Sequence, residues 1–113
     1  MAATTVSQMQ KIVKDLIAEY ASYKSSNNDI NTEAIVDEEN GHYEVLKVGW
    51  NNGRRIHGSI IHIDIVDGKI WIQHDNTSPG VALDLVQAGI PNDAIVLGFH
   101  PPHVRQHTGF AVN

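Results

Sequence analysis

Two side chains capable of acid–base chemistry, His62 and Asp64, lie in the alternating segment Ile61-His62-Ile63-Asp64-Ile65. Strand alternation would place both on the same face of a sheet. An imidazole held by a carboxylate is a candidate general base or metal ligand. On the next predicted strand Gln73 lies opposite His62, and Trp71 lies opposite Asp64. The pair also fits the polar rim of a half-exposed strand, and no Ser or Thr nucleophile has a predictable place beside it.

Three further histidines, His100, His103 and His107, suggest zinc by their spacing. Zinc needs three or four ligands on rigid elements. The first two flank Pro101-Pro102, where helical geometry is not assured, and the chain has no Cys and no H-E-x-x-H motif. We therefore expect no metal and no cofactor.

Charge and composition exclude several classes of function. The 113 residues carry a net charge of -5 and no Cys, which excludes disulfide scaffolds and thiol nucleophiles. The acidic balance argues against non-specific DNA binding. Arg54-Arg55 is the only adjacent basic pair, and we expect it to favour a protein carboxylate over nucleic acid. No apolar run reaches the roughly 18 residues of a membrane span, so we expect one cytoplasmic domain over residues 1–113.

Residues 5–24 show the spacing of one amphipathic helix. Its apolar stripe is Met9, Ile12, Val13, Leu16, Ile17, Tyr20 and Tyr23. We expect Thr4, Thr5 or Ser7 to supply the N-cap oxygen and Ser25-Ser26-Asn27-Asn28 to end the helix.

Three turn signals follow, Asn40-Gly41, Asn52-Gly53 and Asp67-Gly68. Each dipeptide favours a two-residue type I′ hairpin turn, because both central residues need a positive φ. Two-residue loops set the register of a four-stranded antiparallel meander. The predicted cross-strand pairs are Glu39–His42, Ile35–Leu46, Asn51–Arg54, Val48–His57, Val66–Lys69, Ile63–Ile72 and Ile65–Ile70.

Alternation then separates two faces of this sheet. The face predicted to lie under the helix carries Ile35, Leu46, Val48, Trp50, Ile61, Ile63, Ile65, Ile70 and Ile72. The other face, of mixed polarity, carries Val36, Tyr43, Val45, Ile56, Ile60, His62, Asp64, Trp71 and Gln73. We expect Trp71 to lie at an interface or under the C-terminal segment (Phe99, Phe110, Val112), since monomers rarely leave such a patch uncovered.

The remaining residues predict a short helix, a further strand and irregular chain. Ser78 would cap a helix with Pro79 at its first position and Gly89 after its end. Residues 95–99 read as a buried strand, and residues 110–112 as a final extended segment. The predicted fold is therefore α+β, with an N-terminal helix packed on a four-stranded antiparallel meander, followed by a short helix and a further short strand in a two-layer sandwich.

A series of short stretches covers nearly the whole chain, from Gln8 to Val112. They are LIAEYA (16–21), VGW (48–50), RRIHG (54–58), IHIDI (61–65), DGKIWIQ (67–73), IVLGFH (95–100), RQ (105–106) and FAV (110–112). In this order and spacing the chain resembles the XisI family, the fdxN-element excision controlling factors of cyanobacteria.

The resemblance implies a role in programmed excision of a DNA element during the differentiation of nitrogen-fixing cells. In that system a separate site-specific recombinase cuts and joins the DNA, and the XisI protein acts beside a partner called XisH. No catalytic residues are carried over. We expect a non-enzymatic regulatory protein that binds an XisH-like partner and associates only indirectly with the recombinase–DNA complex, with a homodimer left open.

Two alternatives remain. A DNA-binding excision or directionality factor would use Arg54-Arg55 with Lys47, Lys69 and Arg105. A small hydrolase or metal-dependent enzyme would gather His62, Asp64 and His74 or His100 in one pocket. The candidate partner-interface residues are Tyr43, Arg54, Arg55, Ile60, His62, Asp64, Trp71, Gln73, His100 and Arg105.

Overall fold

The structure, a computed structural model, describes residues 4–23 and 29–113. Its elements are α1 (Val6–Ala21), β1 (Ile30–Asp37), β2 (His42–Asn51), β3 (Arg54–Val66), β4 (Lys69–Asp75), α2 (Val81–Gln87), a 3-10 turn (Asn92–Ala94), β5 (Ile95–Leu97) and α3 (Pro102–Arg105). The strands form one sheet in the order β1-β2-β3-β4-β5. β1 to β4 are the predicted antiparallel meander, and β5 adds a parallel strand beside β4. The α+β prediction is confirmed. No helix within the described ranges is long and apolar enough to cross a membrane.

Helix α1 begins with a capping box at Thr5. The Thr5 hydroxyl accepts a hydrogen bond from the Gln8 amide at 3.1 Å, and the Thr5 amide donates to Gln8 Oε1 at 2.8 Å. The buried stripe that packs on the sheet is Met9, Val13, Leu16 and Ile17. The helix ends at Ala21, three residues before its predicted end, and the predicted stop at residues 25–28 lies outside the described residues.

Two of the three predicted hairpins have the expected two-residue loops. Asn52 and Asp67 take φ values of 52° and 50°, and the glycine after each takes 77°. The predicted pairs next to these loops are confirmed: Asn51–Arg54, Val48–His57, Val66–Lys69, Ile65–Ile70 and Ile63–Ile72. The type I′ signal therefore set the local register of β2–β3 and β3–β4.

The first hairpin differs from the prediction, because its loop has four residues rather than two. Asp37 pairs with His42, and Ile35 with Glu44, so the predicted pairs Glu39–His42 and Ile35–Leu46 are wrong. The Asp37 carboxylate stabilises the wider loop by accepting hydrogen bonds from the Asn40 amide at 3.1 Å and from Asn40 Nδ2 at 2.9 Å.

A β-bulge at Ile60 changes which side chains reach the core. Val45 pairs with Ile61 and Leu46 with Ser59, so Ile60 is an extra residue on β3. One extra residue reverses the face of every side chain on one side of it. The face assignments that are wrong for this reason are Ile35, Leu46, Val48 and Trp50, predicted inside, and Val36, Tyr43, Val45 and Ile56, predicted outside.

The inner face of the sheet, under α1 and α2, therefore has a different composition from the one predicted. Its fully buried side chains are Tyr43, Val45, Ile61, Ile63, Ile70 and Ile72. The predicted inward isoleucines of β3 and β4 are confirmed, with Ile65 half-buried against this core. On the opposite side, called here the outer face, Trp50 is 51% exposed and Ile35 is 45% exposed.

Helix α2 is capped by a residue that the sequence did not single out. The Val81 amide donates to Asp75 Oδ2 at 2.8 Å, so the predicted Ser78 cap is wrong. The Asp75 carboxylate is available there because its other oxygen holds the connecting turn through Thr77, whose hydroxyl lies 2.6 Å away. Gly89 follows the helix with a φ of 106°, which confirms the predicted stop.

The C-terminal segment returns to the sheet edge. Ile95 and Val96 of β5 are fully buried, and the strand ends at Leu97, two residues before its predicted end. Ala111 then bridges to Val96, and the Ala111 amide donates to the Ile95 carbonyl at 2.8 Å. Residues 110–112 thus dock beside β5, as the sequence predicted.

Candidate functional site

A cluster of polar side chains lies on the outer face, where β2 begins and β3 ends. Register places His42 directly opposite Asp64, and His62 lies two residues from Asp64 on the same strand. His42 Nδ1 is 2.7 Å from Asp64 Oδ1, and His62 Nε2 is 2.9 Å from the same oxygen. Gln73 Nε2 donates to Asp64 Oδ2 at 3.3 Å. We call these four residues the His–Asp cluster.

The electrostatics of the cluster centre on Asp64, whose side chain is only 13% exposed. Burial raises the pKa of Asp64, but the hydrogen bond from His42, the nearby His62 imidazole and the Gln73 amide together hold it below its ordinary value. The hydrogen bond to Asp64 and its negative charge raise the pKa of His42. The cluster therefore holds an ionised carboxylate against two imidazoles, which can exchange protons or bind a metal ion.

The sequence found part of this cluster and missed part. It placed His62, Asp64 and Gln73 on one face, and the structure brings all three together. It missed His42, because the register of two-residue loops puts His42 opposite Ile63 rather than Asp64. The prediction that Gln73 lies opposite His62 is also wrong. His74 lies opposite His62, because Gln73 is the extra residue of a second bulge.

The C-terminal histidines do not form the zinc group that their spacing suggested. Within residues 4–23 and 29–113, the one group of three potential ligand atoms within 4.8 Å of one another is His42, His62 and Asp64. His100, the nearest of the three C-terminal histidines to β5, instead packs its ring against Phe99 at 4.6 Å between centroids.

Trp71 lies beside the His–Asp cluster, directly opposite Asp64 as predicted. It is half-buried, and the Arg105 guanidinium lies 5.1 Å from its ring centroid. Arg105 is held there by donating from Nε to the His100 carbonyl at 2.9 Å. The C-terminal segment thus covers Trp71, but it does so through Arg105, while Phe99 stays 47% exposed.

The other end of the outer face is the tip of the β2–β3 hairpin. Arg54 and Arg55 are both exposed there, and the Arg55 guanidinium lies 5.1 Å from the ring centroid of Trp50. Trp50 was predicted inside, and only the bulge at Ile60 reveals it as a surface residue. We call Leu46, Val48, Trp50 and Arg55 the tip patch, because the register places all four on the outer face toward this hairpin. Ile35 shares the outer face but pairs with Glu44, at the end where the His–Asp cluster lies.

Two of the predicted interface residues have little or no surface that a partner could contact, because Tyr43 is buried and Ile60 is half-buried. Tyr43 is fully buried under the helices, so its assignment to an interface is wrong. Its hydroxyl is buried with no hydrogen-bond partner among the described residues. Ile60 is half-buried and packs against the core. Both differences come from the bulge at Ile60, because it reverses the faces on which the side chains of this part of β2 and β3 lie.

Comparison with known proteins gives a consistent result. The family model "XisI protein" matches residues 3–112. A crystal structure of a XisI-like protein from Anabaena variabilis ATCC 29413 superposes with a TM-score of 0.89 at 41% identity, covering 95% of this chain and 98% of that one. The fdxN element excision controlling factor XisI from the same organism superposes with a TM-score of 0.81 at 33% identity, covering 93% and 96%. No curated protein matches. This chain belongs to the XisI family.

Proposed function

We propose that the protein is a non-catalytic regulatory factor that acts in programmed DNA excision by binding an XisH-like protein. Membership of a family that includes an fdxN element excision controlling factor supports the process. The cutting and joining of DNA are left to a separate recombinase, with which this protein associates through its partner.

The tip patch carries this proposal. Trp50 is 51% exposed on a sheet face that neither α1 nor α2 covers, and the half-buried Leu46 and Val48 follow it along the same face of β2. Trp and Arg are two of the residue types enriched at interface hot spots. Arg54 and Arg55 add positive charge at the rim of a chain whose net charge is -5. The partner surface that fits is an apolar pocket rimmed by carboxylates.

Direct DNA binding has less support from the placement of the basic residues. Arg54 begins β3 and Lys69 begins β4, so the 13-residue strand β3 separates them. At roughly 3.3 Å per residue this is about 40 Å. Arg105 is engaged with Trp71, and Lys69 donates to the Asn113 carbonyl. Phosphate contacts would thus be split between two ends of the molecule rather than form a stripe.

Binding of purified XisH-like protein, measured by calorimetry, tests the proposal. We expect Trp50→Ala to weaken the affinity by at least about tenfold, because loss of a central Trp costs on the order of 2 kcal/mol or more. The matched control is Tyr23→Ala, since Tyr23 is 54% exposed but lies two residues after α1 and contacts Glu19 and Tyr20 of that helix, which packs on the other side of the sheet. Equal affinities for the wild type and Trp50→Ala would contradict the tip patch as the binding surface.

The same titration separates the alternatives. If the wild-type protein binds no XisH-like protein at micromolar concentration, the proposed function is wrong. If it instead binds a DNA duplex with an affinity that falls steeply as salt is added, the DNA-binding alternative replaces it.

A further inference from the structure

The His–Asp cluster has the geometry of a ligand set. His42 and His62 approach one carboxylate oxygen from two adjacent strands, at 2.7 Å and 2.9 Å. The three ligand atoms all lie within 4.8 Å of one another. Two imidazole nitrogens are thus brought together by tertiary structure, since His42 and His62 are twenty residues apart in the chain.

The carboxylate is already oriented for binding. Gln73 donates to Asp64 Oδ2, which leaves Oδ1 turned toward the imidazoles, as the outer-shell partners of metal-binding carboxylates do. Asp64 is 13% exposed, whereas His62 is 37% and His42 is 57% exposed. An ion can therefore enter from solvent on the histidine side and meet a carboxylate that has already lost most of its water.

The donor types select among metals. Two imidazoles and one carboxylate suit Zn²⁺ and related transition-metal ions, whereas Mg²⁺ and Ca²⁺ prefer oxygen ligands. Tetrahedral zinc with bonds of about 2.0–2.2 Å separates its ligand atoms by about 3.4 Å. The His42 nitrogen, now 2.7 Å from Asp64 Oδ1, would move away by about 0.7 Å, and the His62 nitrogen, now 2.9 Å away, by about 0.5 Å. Such a shift needs only small side-chain rotations, and both imidazoles retain solvent-exposed surface.

We propose that His42, His62 and Asp64 bind one Zn²⁺ ion on the outer face of the sheet, with Gln73 as the positioning residue and solvent at the remaining coordination position. This revises the expectation of no metal that followed from the sequence. Glu44 and His74 lie directly opposite His62 on the two neighbouring strands, so a fourth protein ligand is within reach if either side chain turns toward the ion.

Calorimetric titration of the full chain with zinc chloride, after dialysis against a chelator, tests the site. We expect one binding event per chain, weakened at least tenfold by His42→Ala and by Asp64→Asn. Gln73→Leu should weaken it by about tenfold, the lower end of the usual effect of losing an outer-shell partner. The control His103→Ala removes an exposed histidine of α3 and should leave the affinity unchanged.

Cobalt substitution provides an independent readout. Co²⁺ bound by the wild type should give the visible absorption of a four-coordinate site, and His42→Ala should lose it. Circular dichroism will show whether the variants fold. We expect His42→Ala to disturb folding least, because the His42 side chain is 57% exposed. The proposal is wrong if the wild type binds no zinc, if His42→Ala binds it as tightly, or if His103→Ala abolishes binding. None of these outcomes depends on an XisH-like partner.

Discussion

Tyr20 connects the two helices that cover the inner face. Its hydroxyl donates to Asp84 Oδ2 at 2.7 Å. Burial, followed by the hydrogen bond to Asp84 and the charge of Asp84, raises the pKa of Tyr20 from 10.0 to about 12. All three effects favour the neutral phenol, so ionisation of this one side chain opposes the packing of α1 against α2.

We therefore expect the free energy of unfolding to fall at alkaline pH as Tyr20 ionises. Between pH 10.0 and about 12 the folded protein retains a proton that the unfolded chain has lost, so the free energy of unfolding decreases as pH rises through this window. Because Tyr20 is partly exposed, solvent screening reduces its contribution at neutral pH to about 1 kcal/mol. Urea unfolding at pH 9 and pH 11 measures it, for wild type and Tyr20→Phe.

The comparison of those two proteins isolates Tyr20 from the other tyrosines and lysines that ionise in the same range. We expect Tyr20→Phe to lose less stability than the wild type between the two pH values. An identical loss in both proteins would contradict the assignment.

Among the elements, the edge strand β1 depends on the absence of a side chain at position 49. A Cβ atom built on Gly49 would lie 2.0 Å from the Asp29 carbonyl oxygen and 2.6 Å from the Ile30 Cα. Both contacts are with backbone, which cannot rotate away. The start of β1 can pair with β2 only because Gly49 leaves this space open.

Gly49→Ala should thus displace the start of β1 and cost about 1–3 kcal/mol, as overpacking does. The matched control is Gly58→Ala on β3, where the added Cβ meets nothing within 4 Å and the change should be neutral or slightly stabilising. Urea unfolding gives both free energies, and hydrogen exchange at residues 30–33 reports the local displacement. Equal stability of the two variants would refute this account of β1.

The same elements show what could be read from the sequence. Turns with a strong local signal, such as Asn52-Gly53 and Asp67-Gly68, predict the correct register. The reason is that a type I′ turn depends on the φ angles of its own two central residues. The bulge at Ile60 has only a weaker signal, the isolated Gly58 two residues before it, which does not determine where the extra residue falls. For that reason His62 and Asp64 were found from their spacing, whereas His42 and Trp50 were not.

At the scale of the molecule, helices cover one face of the sheet and the C-terminal segment covers one end of the other. Arg105 lies on Trp71 at the β4–β5 edge, and Trp50 of the tip patch at the β2–β3 hairpin is 51% exposed. The His–Asp cluster adjoins Trp71, at the opposite end of β2 and β3 from the tip patch. The outer face thus holds both proposed sites, the protein-binding patch and the zinc site, at separate positions along the strands.

We propose that this face recruits an XisH-like protein. The direct measurement is a pull-down of the tagged chain from its native host, with the recovered proteins identified by mass spectrometry and the mass of the complex measured by light scattering. We predict a complex containing both this chain and an XisH-like protein, which Trp50→Asp abolishes and Tyr23→Ala preserves. Recovery of the wild-type chain alone, or only as a homodimer, would contradict the claim.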